Sequence, residues 1–192
     1  MENFRLYFSW GWTHIISWDA MDHLLFLLAL TAIYTYQDRK QLLILITAFT
    51  IGHSLTLALS VANCIDVNKA WVEFLIPVTI IGAGVFNLIW LDQKTWLKSG
   101  KYLLTMAFGL IHGLGFASVI QMTLMETDQV FIPLLYFNLG IEVGQLAVVM
   151  LMVLISEMAI RHIGISKINW VRLLSGAAIV GGLYFAIDRS PF

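Results

Sequence analysis

Apolar residues run along this chain in six blocks separated by short polar links. Each block is close to the roughly 20 residues an α-helix needs to cross the hydrocarbon core of a bilayer. With edges at 15–36, 41–63, 70–91, 102–123, 129–157 and 168–187, the pattern predicts an all-α polytopic membrane protein. Its six transmembrane helices form one bundle and a single domain over residues 1–192. The first 14 residues, with Trp10, Trp12 and Arg5, predict a helix lying at the membrane interface.

Composition agrees with the pattern. Hydrophobic residues make up 59% of the chain and charged residues 12%, against roughly 45–50% and about 25% in soluble domains. A soluble enzyme and a disordered protein are excluded. With a net charge of −1 and no basic run, there is no face for nucleic-acid phosphates. The lipid bilayer is the first partner, and a homo-oligomer is compatible with the pattern. The single cysteine, Cys64, has no mate for an internal disulfide or a thiolate cluster.

Basic residues orient the bundle. Arg39, Lys40, Lys94, Lys98, Lys101, Arg161, Lys167 and Arg172 flank the links after the first, third and fifth spans, whereas Arg5, Lys69 and Arg189 fall on the other side. Positive residues stay cytoplasmic, so both termini are expected outside the cytoplasm of a bacterial-type inner (plasma) membrane. Trp90, Trp96, Tyr102 and Trp170 then form an inner aromatic belt, with Trp10, Trp12, Trp71 and Tyr184 at the outer face.

Polar residues inside the spans point to chemistry, because a charge at a helix centre costs about 2.5–3.5 kcal/mol on insertion scales. The first span holds Asp19, Asp22 and His23; the second His53 and Ser54; the fourth His112; the fifth Asn138, Glu142 and Gln145. At about 1.5 Å rise per residue, His23, His53, His112 and Glu142 lie between about 16 and 22 Å above the cytoplasmic boundary. They share one layer on four helices. Asn138, Glu142 and Gln145 make one stripe at 100° per residue; Thr105, Gly109, His112 and Phe116 make another. Stripes facing one another enclose a pocket of imidazoles and carboxylates without thiolates, a donor set suited to zinc, nickel, cobalt or ferrous iron. Asp22, His23, His53 and His112 are the expected metal ligands, and Glu142 is the expected general base or proton carrier. Ser54, Asn138, Gln145 and Asp19 are expected to orient ligands from outside them. Two ionised carboxylates, Asp22 and Glu142, balance one divalent cation, with zinc or nickel the leading choices.

His14 lies about 180° from His23 in a continuous helix, which makes it a poor ligand partner unless the helix starts later, and whether it joins the site stays open. Glu73 and Asn87 share a face with Pro77 and Gly84 and read as packing residues, and His162 reads as exposed. A short internal similarity aligns Phe49–Ala58 with Phe108–Ala117, matching at Phe, His, Leu and Ala.

The phrases Asp22-His23-Leu-Leu-Phe-Leu-Leu-Ala-Leu30, Phe49-Thr-Ile-Gly-His53-Ser-Leu-Thr-Leu57, Phe108-Gly-Leu-Ile-His112-Gly-Leu-Gly-Phe-Ala117 and Phe137-Asn-Leu-Gly-Ile-Glu142-Val-Gly-Gln145 resemble, in this order, the HupE/UreJ family. The resemblance covers about residues 11–160. It implies an integral membrane protein of hydrogenase and urease gene sets, and a nickel or cobalt permease. The chain resembles a divergent branch. The transporters' His-x5-Asp-His is here His14 with seven residues, instead of five, before Asp22-His23. In Phe-His-Gly-x-Ala/Val-His-Gly-x-Glu, only the second His-Gly is present, as His112-Gly113; Phe108 stands at the first His and Gly115 at the Glu.

Three functions follow as expectations. A permease carries nickel, cobalt or zinc through the buried His/Asp/Glu site. An intramembrane zinc hydrolase acts on a lipid or lipid-linked substrate from the outer side, which suits the scarcity of polar groups below the layer. A metal-stabilised accessory protein has a closed coordination shell and no turnover.

Overall fold

The structure, a computed structural model, describes residues 2–89, 100–124 and 131–192. The links with Trp90, Lys94, Trp96 and Lys98, and with Glu126 and Asp128, lie outside the described residues, as does the side chain of Asp19. Among the described residues every regular element is helical: α1 (Glu2–Ile16), α2 (Met21–Thr31), α3 (Arg39–Val61), α4 (Lys69–Ile89), α5 (Gly100–Leu124), α6 (Phe131–Arg161) and α7 (Lys167–Asp188). An apolar chain in lipid must satisfy its backbone groups internally, and helices do so within one segment. Four stretches are long and apolar enough to cross a membrane: Tyr36–Val61, Lys69–Ile89, Phe131–Arg161 and Lys167–Asp188.

The expected continuous helix over 15–36 is not found. The first helix ends at Ile16, Ser17 is extended (φ −76°, ψ 157°), and a 3₁₀ turn at Trp18–Ala20 leads into α2. With 11 residues, α2 is about 16 Å long, half of a ~30 Å hydrocarbon core. It can be short because no residue of α2 is exposed; its apolar sequence faces other helices on all sides, not lipid. The expected boundary near residue 14 between an interfacial helix and a span therefore moves to Ser17–Ala20. The first helix packs along α6, Phe4 meeting Tyr136 edge-on at 5.0 Å.

Three helix pairs dominate the packing. Gly140 faces the backbone of Phe8 and Trp12 and Gly144 faces Ile15, so α1 and α6 run in the same direction. Gly109 faces Phe49, Gly52 faces Met106 and Leu110, and Gly113 faces His53 and Thr56, so α3 and α5 are also parallel. In both pairs the missing Cβ lets backbone meet backbone, as small residues do in membrane helix pairs. The third pair is antiparallel: Gly182 faces Pro77 and Ile81 while Gly84 faces Ser175 and Ile179. Asn87 ties α4 to its neighbours, its Nδ2 donating to the Ala29 carbonyl of α2 at 2.7 Å and to Ser175 Oγ of α7 at 3.2 Å. The expectation of a packing role for Asn87 holds.

Directions follow from the contacts. Thr31 Oγ1 lies 3.6 Å from Met152 Sδ, and the Tyr36 amide donates to Glu157 at 3.2 Å, so α2 descends beside the second half of α6. Lys101 Nζ donates to Gln41 at 2.8 Å, which puts the starts of α3 and α5 at that same end. At the other end Phe192 packs edge-on against Trp71 at 5.3 Å, close to the start of α4. Both termini therefore share one end of the bundle, and α1 with α2 makes a single broken traverse.

Candidate metal centre

The break between α1 and α2 puts His14, in the last turn of α1, beside His23, in the first turn of α2; their ring centroids are 4.8 Å apart. The parallel α3 and α5 bring His53 and His112 to the same place. His23 is 5.9 Å from His53 and 5.1 Å from His112, and His14 is 6.1 Å from His53. One ring nitrogen from each of His14, His23 and His53 lies within 4.8 Å of the others, a spacing one ion can bridge. His53 is completely buried and His112 and His23 are nearly so.

The hydrogen bonds decide what these rings offer. His23 Nδ1 and its backbone amide both donate to Asp22 Oδ1, at 2.9 and 2.8 Å. The proton is thus on Nδ1 and the lone pair on Nε2. Thr79 donates its hydroxyl proton to the Ile76 carbonyl at 2.7 Å, so it accepts from His112 Nε2 at 3.0 Å. His112 is left with its lone pair on Nδ1. These are the free atoms. Five ring nitrogens, His14 Nε2, His23 Nε2, both of His53 and His112 Nδ1, are buried without a hydrogen-bond partner. An unsatisfied buried polar atom costs about 1–3 kcal/mol, and five such costs rival the whole net stability of a domain, about 5–15 kcal/mol. Histidines bonded merely to neighbouring backbone would not leave that debt. Lone pairs aimed at one cation offset it, and a neutral nitrogen set without thiolate fits nickel, cobalt or zinc.

The surroundings differ above and below the rings. On the side of the termini, a cavity of about 230 Å³ reaches the centre. His14, Asp22, His23 and His112 line it with Glu73 and Ile76 of α4, Gly115 and Phe116 of α5, and Arg189. On the opposite side Phe26, Phe49 and Phe108 form an aromatic floor. Phe26 and Phe49 lie 5.3 and 5.1 Å from His112 and 4.9 Å from each other, and Phe108 is 5.8 Å from Phe26. Each is one helical turn from a histidine on its own helix. The two departures from the transporter motif fall on this frame: Gly115 in the cavity wall and Phe108 in the floor.

His23, His53 and His112, expected as ligands, do come together. Asp22 points elsewhere: Oδ1 serves His23 and Oδ2 accepts from Arg189 Nη1 at 3.1 Å. Its hydrogen bond to Nδ1 has the form of the carboxylate–histidine arrangement common behind metal-bound imidazoles. Glu142 accepts from Thr47 Oγ1 at 2.7 Å, and it is not a lining residue of the cavity. The stripe it belongs to meets α3: Gln145 Oε1 is 3.0 Å from Thr50 Oγ1. Asn138 Nδ2 turns back to the Leu134 carbonyl at 2.9 Å. Ser54 is half-buried on α3 beside His53.

Sequence reasoning passed over Thr79 and Arg189 as site residues, left His14 open and read Glu73 as packing. Ser17 and the lengthened spacing from His14 to Asp22 were the available signals for the break, and with it for His14. Glu73, read as packing, lines the cavity and pairs with Lys69 at 3.5 Å.

A bundle with helices of membrane-crossing length and four imidazoles gathered in its interior defines a multi-pass membrane type of protein, in which His14, His23 and His53 are spaced so that they could hold a metal ion. The family model described as HupE / UreJ protein matches residues 1–189, and the chain belongs to that family, which is associated with nickel and cobalt transport. Comparison with curated proteins and with solved structures found no match.

Proposed function

We propose that this protein binds a divalent transition-metal ion at His14, His23, His53 and His112 and carries it across the membrane, with nickel, cobalt or zinc as cargo. The convergence of buried, unpartnered ring nitrogens carries this reading. The chain makes six passes, α1 and α2 together forming one, both termini lie outside the cytoplasm of a bacterial-type inner membrane, and the cavity receives the ion from that side. The eight-to-three asymmetry of basic residues supports the orientation. Discontinuous helices meeting at a buried ion site are a recurring construction in transporters. Release toward the cytoplasm requires Phe26, Phe49 and Phe108 to part, so the closed floor corresponds to an outward-facing state. Glu142, a carboxylate deep in α6 outside the cavity, is a candidate for carrying a proton during the cycle.

Purified protein in liposomes tests the reading. Zinc, nickel or cobalt should accumulate above a protein-free control, and His53→Ala should abolish the flux. Absence of flux for all three ions would refute transport.

The aromatic floor favours one second reading, a metal-dependent hydrolase open only to the outer side. A zinc ion held by the histidines would supply Lewis acidity there. Glu73, in the cavity wall, is then better placed than Glu142 to move a proton. Bound zinc with no flux, together with cleavage of a lipid ester in the same vesicles, would favour it.

A further inference from the structure

The cavity above the histidines contains a cation of its own. Arg189, at the end of α7, reaches Asp22 with Nη1 3.1 Å from Oδ2. The pair is largely withdrawn from solvent, with side-chain exposures of 23% for Arg189 and 10% for Asp22. The guanidinium also rests 4.8 Å from the centre of the Phe185 ring. Asp22 Oδ1 is simultaneously the acceptor for His23. One carboxylate thus joins a fixed positive charge to the imidazole centre.

Charge decides the consequence. Asp22 and Arg189 cancel, so the carboxylate nearest the rings carries no uncompensated negative charge. A divalent ion arriving there adds two positive charges to a poorly solvated interior, beside a guanidinium, with its nearest anion already neutralised. Uncompensated charge in such surroundings is expensive. A second carboxylate, Glu73, lines the same cavity; its present partner is the exposed Lys69 at 3.5 Å. Phe192 packs on Trp71 and Phe74, which flank Glu73 on α4. The segment after Arg189 is therefore anchored next to the alternative partner.

We propose that Arg189 is a tethered competing cation. It neutralises Asp22 while the histidines hold no ion, and it leaves Asp22 for Glu73 when the ion arrives, freeing the Asp22 charge to compensate the metal. The device weakens binding on purpose: an ion that must displace a built-in cation is also readily released by its return. Arg189 is a positioning residue in this scheme, acting through Asp22. The inference rests on the histidine centre being a metal site.

Cobalt(II) titration of the full chain in nanodiscs, followed by absorption spectra and by thermal melting, tests it. Arg189→Gln should bind Co²⁺ at least tenfold more tightly than wild type, whereas mere structural damage would weaken binding. The gain should vanish in the Arg189→Gln/Asp22→Asn double variant. An affinity that is unchanged or lower in Arg189→Gln, or a gain that survives in the double variant, overturns the proposal. Should Arg189→Gln fail to fold, Arg189→Lys keeps the charge but loses the forked donor, and a smaller tightening is expected; no tightening counts against it equally. A wild-type protein that takes up no Co²⁺ is a separate failure, ending the metal reading and this proposal together.

Discussion

Two different constructions each supply two histidines to the same centre. On one side α3 and α5 lie parallel, with Gly52, Gly109 and Gly113 letting their backbones approach, and His53 and His112 sit at matching places along the contact. On the other, a chain break at Ser17–Ala20 folds the end of α1 against the start of α2, so that residues on opposite faces of any continuous helix become neighbours. In the first construction, a clamp, one backbone-to-backbone contact sets the spacing of both histidine-bearing helices; in the second, α1 is held as closely but to α6, not to α2. The second is a joint whose geometry depends on what α1 and α2 are packed against.

The largest expected difference between the two halves lies in their glycines. A Cβ on Gly52 meets backbone atoms of Met106 and Leu110, and one on Gly11 meets those of Phe137 and Ile141. Overpacking against well-packed neighbours costs about 1–3 kcal/mol and more where backbone is struck. Gly52→Val should eliminate monodisperse folded protein on size exclusion. Gly11→Val should leave a folded protein with α1 displaced, whose metal affinity falls as far as in His14→Ala; equal damage in the two valine variants would abolish the distinction between clamp and joint.

Single-ligand variants come next. His53→Ala, in the clamp and fully buried, should lower Co²⁺ affinity by about 100-fold or more, and His14→Ala, half-buried at the joint, by about tenfold; ligand loss and loss of an orienting partner both act on this scale. The reverse order in titration would make the joint the stronger half. Asp22→Asn keeps an acceptor for His23 Nδ1 but removes the charge behind it, and affinity should fall by up to about tenfold. The smallest effect belongs to Thr79→Val, which strips His112 Nε2 of its acceptor at nearly constant shape. A typical hydrogen bond is worth about 1 kcal/mol, so a loss of about fivefold in affinity is expected, with a lowered melting temperature because Nε2–H is left buried without an acceptor.

Comparing the two halves also separates what was legible in the residues from what was not. The clamp could be read: the similarity of Phe49–Ala58 to Phe108–Ala117 places His53 and His112 in register, and glycines beside them announce close approach. The joint could not. Residues 15–36 read as one apolar block because α2 is packed among other helices, and an enclosed helix is as apolar as one in lipid. Reading that block as one continuous helix put His14 on the wrong face. The carboxylates were legible as intramembrane charges but not in their partners: Asp22 was matched with a metal before Arg189 was known to reach it, and Glu142 was drawn into the pocket when its stripe meets Thr47 and Thr50 of α3 instead.

The linear order of residues determined by itself that this is an all-helical, bilayer-length bundle of the HupE/UreJ kind, because block length and apolar content are local properties that lipid reads one helix at a time. It also determined which residue types were available to a metal, namely nitrogen and oxygen donors. Tertiary structure alone decided that the four rings gather in one place, that His23 Nε2 and His112 Nδ1 are left without hydrogen-bond partners, and that Asp22 pairs with Arg189. Those outcomes depend on helix pairing and on a break in the chain, and packing across distant segments sets both.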